Sequence, residues 1–408
     1  MSTRKIFASA AVTLVISMSA VFSSHASLIV SGGSDAFSWT ARSLLTGAAE
    51  GGTGSPSNLL GNSIYHPSYP AYSGVVGMLM DYGDGGRFVC SGTLMNDRRS
   101  ILTAAHCVSG GAGTANPLST TISFQPDGGL SPDERIYATQ PDVVRIEVTD
   151  YFVNENYSGE VIDQNDVAVL RLAEEAPAWA ISHDIYTEGD LTGLDFNVAG
   201  YGLRGDGNGL NSLNRTGYLR EGDNMYDFAW GNELFNGFFT NRDTDGEFAG
   251  QNFFGFADVE FSYLSDFDNG LAINDTAGRI ASALGLGGIF DDVGLGDREV
   301  GVAGGDSGGP NFINGLISGI NSYGLSFGTN FGDIGGGLNS SFGEFSGYVP
   351  TFIHADFIRA AMVNVPVVAV SEPSMLALMS LGLFSIGASA RRRKTGSSTQ
   401  RSINGGKN

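Results

Sequence analysis

Three short stretches of the 408-residue chain carry residue types that together perform acyl transfer. His106 follows Leu-Thr-Ala-Ala, Ser307 lies in Gly-Gly-Asp-Ser-Gly-Gly-Pro, and Asp166 heads an apolar run. A serine attacks a carbonyl carbon when a histidine takes its proton, a carboxylate orients that histidine and backbone N–H groups bind the oxyanion. The sequence therefore predicts Ser307 as nucleophile, His106 as general base and Asp166 as the orienting residue.

The glycines around Ser307 predict a sharp turn that leaves the hydroxyl open. In such a turn the N–H groups of Gly305 and Ser307 are the candidate oxyanion hole. A phosphate-cradling loop is the rival interpretation of a glycine-rich turn. That rival is disfavoured because no Gly-Lys-Ser/Thr ending follows the motif.

The elements that position these residues are predicted to be strands. The chain has 60 glycines, 12 prolines and 42% hydrophobic residues, and strand-like runs such as 143–148 recur without an internal repeat. This pattern is typical of an all-β protein with many turns. Thr351–Val363 is the exception, because its apolar residues follow helical spacing. With only two cysteines, at most one intramolecular disulfide can form.

Both ends of the chain have the composition of segments outside a core. Residues 1–26 have a basic start, an apolar run and small residues at a cleavage-like site, which predicts a secretory signal peptide over a membrane anchor. Residues 27–62 are rich in Gly, Ser and Ala and are interpreted as an extension or propeptide outside the core. A linker (364–374), an apolar segment with a basic cluster (375–394) and a polar tail (395–408) follow the predicted domains.

The net charge of −21 makes the protein acidic. An acidic body repels nucleic acid, so no nucleic-acid partner is expected. Acid-rich loops such as 242–247 leave calcium binding open, although no ordered calcium-loop spacing is present. We therefore predict no metal site and no cofactor.

The order His, Asp, Ser and the strings around His106 and Ser307 resemble the trypsin/chymotrypsin family over roughly residues 65–363. The resemblance implies two six-stranded antiparallel β-barrels, at 63–185 and 186–363, with the active site in the cleft between them and a short C-terminal helix. It also implies a disulfide between Cys90 and Cys107.

The same resemblance places the substrate-binding residues. Ser322, Tyr323 and Gly324 resemble the strand that binds substrate backbone, and Gly301 falls at the floor of the pocket that holds the residue before the scissile bond. These positions carry no acid, which predicts a neutral preference, with Asp333 as the alternative acid. The stretch from Leu203 to Val300 is longer than usual for the family, and what pairs with Asp306 is left open.

The C-terminal segment resembles another known pattern. Ser371-Glu372-Pro373-Ser374, an apolar run and a basic cluster are similar to the PEP-CTERM sorting signal of Gram-negative bacteria. That resemblance implies processing by an exosortase-type enzyme after membrane insertion of the segment, and the alternative is a plain membrane anchor. Together with cleavage by signal peptidase, it implies an exported protein of the cell envelope, cell surface or medium.

The residues and resemblances together predict a secreted or surface-anchored serine endopeptidase that acts on protein or peptide substrates. The alternative is a catalytically inactive binding or matrix protein of the cell surface that keeps the protease fold.

Overall fold

The structure is a computed structural model that describes residues 29–33, 37–43, 48–50, 63–83, 86–111, 116–126, 136, 142–210, 216–242 and 250–363. The predicted signal peptide, linker, sorting segment and tail lie outside the described residues.

The described residues are mostly strands and turns. In chain order the strands are β1 (Ile29–Gly33), β2 (Ser38–Ser43), β3 (Ala48–Glu50), β4 (Val75–Asp81), β5 (Arg87–Leu94), β6 (Ser100–Thr103), β7 (Ser119–Phe124), β8 (Val144–Val153), β9 (Ala168–Leu172), β10 (Asp195–Gly200), β11 (Arg204–Asp206), β12 (Gly209–Leu210), β13 (Arg220–Met225), β14 (Phe228–Ala229), β15 (Tyr263–Asp266), β16 (Val300–Gly301), β17 (Pro310–Ile313), β18 (Leu316–Ser326) and β19 (Phe345–Pro350).

The first barrel consists of β4 to β9, which close antiparallel in the order β4-β5-β6-β9-β8-β7. Its apolar side chains, such as Val76, Met78 and Leu170, have no exposed surface and fill one core. This closed six-stranded barrel confirms the expectation for the first half of the fold.

The second sheet is open. Nine strands form it, seven of them in the order β13-β10-β17-β18-β19-β15-β14, while β2 pairs with β18 and β1 pairs with β2. The expectation of a second closed six-stranded barrel was therefore wrong for the described residues. The sheet is open because its two end strands, β13 and β14, do not pair with each other, and the N-terminal extension adds β1 and β2 beside β18.

The described residues of the extension, 29–33, 37–43 and 48–50, are part of the fold. Phe37, Trp39 and Ala41 of the β1–β2 hairpin are buried in an aromatic core with Trp230 and Phe254. The glycine-rich composition had suggested a segment outside the core, so the burial of the large side chains Phe37 and Trp39 was not expected. Burial of such rings contributes on the order of 25 cal/mol per Å² of apolar surface.

Two helices complete the described residues. Helix α1 (Thr276–Ala283) begins at Asp275, whose carboxylate accepts the N–H of Gly278. Helix α2 (Ala355–Met362) buries Ile358 and Ala361 in the core of the first barrel, which confirms the predicted C-terminal helix. Neither helix is long and apolar enough to cross a membrane, nor is any other helix of the described residues.

Candidate active site

The three predicted catalytic side chains lie in one hydrogen-bonded line. His106 Nδ1 lies 2.6 Å from Asp166 Oδ2, and His106 Nε2 lies 2.7 Å from Ser307 Oγ. A carboxylate only accepts, so Nδ1 carries the hydrogen and Nε2 is free to accept from the serine hydroxyl. The Asp166 carboxylate also accepts the backbone N–H of His106 at 2.8 Å, which fixes both groups.

The first barrel positions the histidine and the aspartate. His106 lies in a single turn, Ala105–Cys107, directly after β6, and Asp166 lies directly before β9. Because β6 and β9 pair antiparallel, with Thr103 opposite Ala168, the end of one strand meets the start of the other. The Cys90–Cys107 disulfide anchors the histidine turn to β5, as the family resemblance implied.

The nucleophile turn is pressed against the first barrel. Gly305 has φ +97° and Gly308 has φ +78°, a region that favours glycine. A Cβ on Gly308 would lie 2.0 Å from Thr103 Oγ1, so no larger residue fits between the turn and β6. The local sequence therefore dictates the turn, and close packing places Ser307 beside His106.

Ser91 is a positioning residue that the sequence reasoning missed. Its N–H donates to Ser307 O at 2.8 Å and its hydroxyl donates to Gly305 O at 2.8 Å. The N–H of Tyr201, from the second half of the chain, donates to Ser91 Oγ at 2.9 Å. The sequence did contain an indication of this role, because Ser91 directly follows Cys90 in a stretch that resembles the family.

Ser322 lies in the site with a different contact from the one predicted. Its hydroxyl donates to Asp166 Oδ2 at 2.5 Å, so the second sheet completes the hydrogen bonding of a carboxylate on the first barrel. Tyr323 is buried, and its hydroxyl accepts from Trp230 Nε1 at 3.0 Å, which directs the ring into the protein. Of the predicted strand, Gly324 alone lines the neighbouring pocket.

The edge of β18 is occupied by the chain itself. Residues Thr40–Ser43 of β2 pair antiparallel with Tyr323–Ser326, and Arg42 lies opposite Gly324. Ser307 has no solvent-exposed surface and the His106 side chain is 7% exposed. In the described conformation, β2 therefore takes the place where a substrate strand would add to the sheet.

The pocket beside β18 contains an acid that the sequence reasoning missed. Gly301 and Gly324 line it as predicted, together with Arg42, Phe267 and Glu344. Glu344 is 5% exposed, accepts the N–H groups of Asn339 and Ser341, and has a pKa raised by burial to about 7. Burial lowers the pKa of Arg42, and the charge of Glu344 opposes that shift.

Asp333, the acid that we had considered for this pocket, is engaged elsewhere. It accepts from the hydroxyl of Ser326 and from the N–H of Gly335 at 2.7 Å. The acid in the pocket is instead Glu344, which lies in the turn before β19. The sequence did not indicate how that turn folds.

Asp306, next to the nucleophile, is satisfied by the backbone. Its carboxylate accepts from the N–H of Gly202 at 2.8 Å and the N–H of Ala303 at 3.2 Å. Burial raises its pKa to about 6. A cavity beside it is lined by Tyr65 and Glu221, so the segment that follows the extension reaches this region.

Comparison of the sequence with models of known protein families matches part of the chain. Residues 68–235 match the Trypsin family model. The matched range contains His106 and Asp166 and ends before Ser307. No curated protein matched the chain.

Among the described residues, the one group of metal-ligating types with mutually close atoms is Cys90, His106 and Cys107. Both thiols of that group are in the disulfide. This group therefore has no free thiolate to offer a metal.

Proposed function

We propose that the protein is an exported serine endopeptidase that hydrolyses peptide bonds through an acyl-enzyme on Ser307. The observation that carries this proposal is the continuous line of hydrogen bonds from Asp166 through His106 to Ser307. The match to the Trypsin family supports it independently.

In this reaction the Ser307 oxygen attacks the scissile carbonyl while its proton passes to His106 Nε2. The N–H groups of Gly305 and Ser307 stabilise the oxyanion, and His106 then protonates the leaving amine. Water hydrolyses the ester by the same route, with His106 as base. Asp166 stays ionised and stabilises the imidazolium, while Ser322 and the His106 N–H hold the carboxylate in place.

A fluorophosphonate probe tests this function on the full chain. We expect one adduct, located on Ser307 by peptide mapping and absent from Ser307→Ala, because that substitution removes the nucleophile. Activity should fall by several orders of magnitude in the variant, with the residual rate supplied by binding and the oxyanion hole. A chain that retains peptidase activity without Ser307 contradicts the assignment.

Segment 27–62 is proposed to be a propeptide that keeps the enzyme closed. The pairing of β2 with the C-terminal half of β18 and the buried Ser307 support this. Cleavage after β2, or its displacement, would free the edge of β18 for substrate.

We propose that the substrate side chain preferred by the pocket changes with pH. Below about 7 the buried Glu344 is neutral, which suits the uncharged side chains that Gly301 and Gly324 leave room for. Above that pH its carboxylate would compensate the lost hydration of a Lys or Arg side chain. A peptide library cleaved at pH 6 and pH 8 should show Lys and Arg gaining at the higher pH, and equal profiles would contradict this.

Export and sorting are further proposals. Residues 1–26 would be removed by signal peptidase, and the segment 375–394 would insert in the membrane of a Gram-negative bacterium before an exosortase-type enzyme processes it. Intact mass and terminal sequencing of the mature protein test both cleavages. A retained C-terminal segment would indicate a plain anchor.

The second candidate function is an inactive protease-fold binding protein of the cell surface. The observation that favours it is the absence of exposed surface on Ser307. The probe decides between the two, because an inactive protein forms no adduct even when β2 is released.

A further inference from the structure

A cluster of carboxylates lies between β15 and the segment 291–299, outside the catalytic line. Asp227, Asp266, Asp268 and Glu299 are each at most 4% exposed, and Asp292 lies at the surface of the same cluster. Buried carboxylates are rare unless they are paired with cations or coordinate metals.

Three of the four buried acids are satisfied by backbone N–H groups. Asp227 accepts from the N–H of Asp266, Asp266 accepts from the N–H of Ala277, and Glu299 accepts from the N–H groups of Asp268 and Leu295, all at 2.5–2.8 Å. These bonds order the chain around the cluster but add no positive charge.

Asp268 is different, because neither oxygen of its carboxylate has a hydrogen-bond partner. The residue is 3% exposed, so bulk solvent does not reach it. A buried polar group without a partner carries the full cost of its lost hydration.

The Asp268 side chain lies against the other acids of the cluster. A Cβ built on Gly294 would lie 2.8 Å from Asp268 Cβ and 2.0 Å from Glu299 Oε2, so both side chains meet at this glycine. Gly294 has φ +89°, and the turn that it forms closes the segment 291–299 over the acids. After burial, the charges of Asp266 and Glu299 are the next largest causes that raise the pKa of Asp268.

The arginines near the carboxylate cluster bind groups outside it. Arg298, the chain neighbour of Glu299, directs its guanidinium to Glu221 and Asp223. Arg279 donates to the carbonyl of Asn330. Lysine does not occur between Lys5 and Lys394, so none is available here.

We propose that Asp268, together with Asp266, Asp292 and Glu299, binds one calcium ion between β15 and the segment 291–299. Calcium takes six to eight oxygen ligands in a flexible geometry, whereas magnesium keeps several of its waters. A site this deeply buried suits the ion that sheds its water. Among the described residues, no three of these carboxylates have oxygens mutually within 4.8 Å, so the proposal requires the segment 291–299 to move closer to β15 when calcium binds.

The position of this site connects it to the substrate pocket. Phe267 stands between the two ligands Asp266 and Asp268, and its ring lies 3.4 Å from a Cβ built on Gly301. Phe267 also lines the pocket. Bound calcium would therefore fix one wall of the pocket as well as the cluster.

Calorimetric titration of the full chain carrying Ser307→Ala, after treatment with EDTA, tests the proposal with calcium chloride as the probe. We expect one calcium per chain and, at a hundredfold excess over the dissociation constant, a rise in Tm of roughly 5 °C. Magnesium chloride at the same concentration should raise Tm by less.

The test variant is Asp268→Asn, with Glu233→Gln as the matched control. Asn keeps the shape of Asp268 and removes its charge, so calcium affinity should fall at least about tenfold, while the calcium-free variant should be no less stable than the parent chain. Glu233 is an exposed acid outside the cluster, and its variant should titrate like the parent. Glu299→Gln serves as a second variant if Asp268→Asn does not fold.

Two results overturn the proposal. One is a parent chain that binds no calcium at millimolar concentration, which would mean that the buried acids are simply protonated. The other is Asp268→Asn binding calcium as the parent does. Neither result depends on whether the protein is a protease.

Discussion

At the scale of single residues, the site is held by groups that do no chemistry themselves. Asp166 accepts three hydrogen bonds, from two groups of His106 and from Ser322, so its carboxylate has one orientation. Ser91 holds the nucleophile turn from the first barrel. Glu344 is buried in the pocket, where it accepts two backbone N–H groups, and its charge state depends on pH.

Replacing Glu344 by Gln should stabilise the protein at high pH. The folded pKa of about 7 lies above the ordinary value of 4.5, so stability is highest below pH 4.5 and falls as pH rises through 7. The shift corresponds to about 3 kcal/mol for this buried group. Urea denaturation at pH 5 and pH 8, in the Ser307→Ala background, should show the variant gaining on the parent only at pH 8, and an equal difference at both values contradicts the shift.

At the scale of elements, β2 covers the edge of β18 beside the candidate site. It pairs with Tyr323–Ser326, while Trp39 packs on Phe254 with ring centroids 5.2 Å apart and Phe37 stacks on Phe331. Backbone pairing and aromatic packing therefore both stabilise the closed edge. The long stretch after Leu203 has a role in this arrangement, because it supplies Trp230, Phe239 and Phe254 to the same core.

Trp39→Ala should accelerate labelling of Ser307 by the fluorophosphonate probe. Removing a buried Trp costs about 3–5 kcal/mol, which weakens the docking of β2. Rates are compared with Ser38→Ala, an exposed neighbour on the same strand that should label like the parent chain.

Arg42→Ala separates local opening from general loss of stability, because it removes only a side chain that lines the pocket. We expect it to label faster than the parent without a large fall in Tm. Unchanged labelling in both variants would show that β2 is a permanent structural strand.

At the scale of the whole molecule, the site depends on contacts between the first barrel and the second sheet. Ser307 and Ser322 come from the second sheet, while His106 and Asp166 come from the first barrel. The disulfide lies at this junction, because Cys107 follows His106 and Cys90 precedes Ser91.

Replacing both Cys90 and Cys107 by Ala should destabilise the protein by roughly 3 kcal/mol. The bridge spans 17 residues, and the chain-entropy model gives a loss of this size for such a loop. Urea denaturation of the double variant measures it, with the reduced parent chain as control. A midpoint equal to that of the oxidised parent would refute the structural role of the bridge.

The sequence alone predicted the hydrogen-bonded line from Asp166 to Ser307, the disulfide and the closed first barrel. These features depend on short motifs whose residues are neighbours in the chain or have the order of a known family. Tertiary structure decided the rest. The burial of Trp39 and the pairing of β2 with β18 join residues about 280 apart, so no local pattern reports them. In the sequence, Glu344 and Asp268 likewise look like ordinary acids. Only the packing of distant segments removes them from water, and burial makes their charged forms costly.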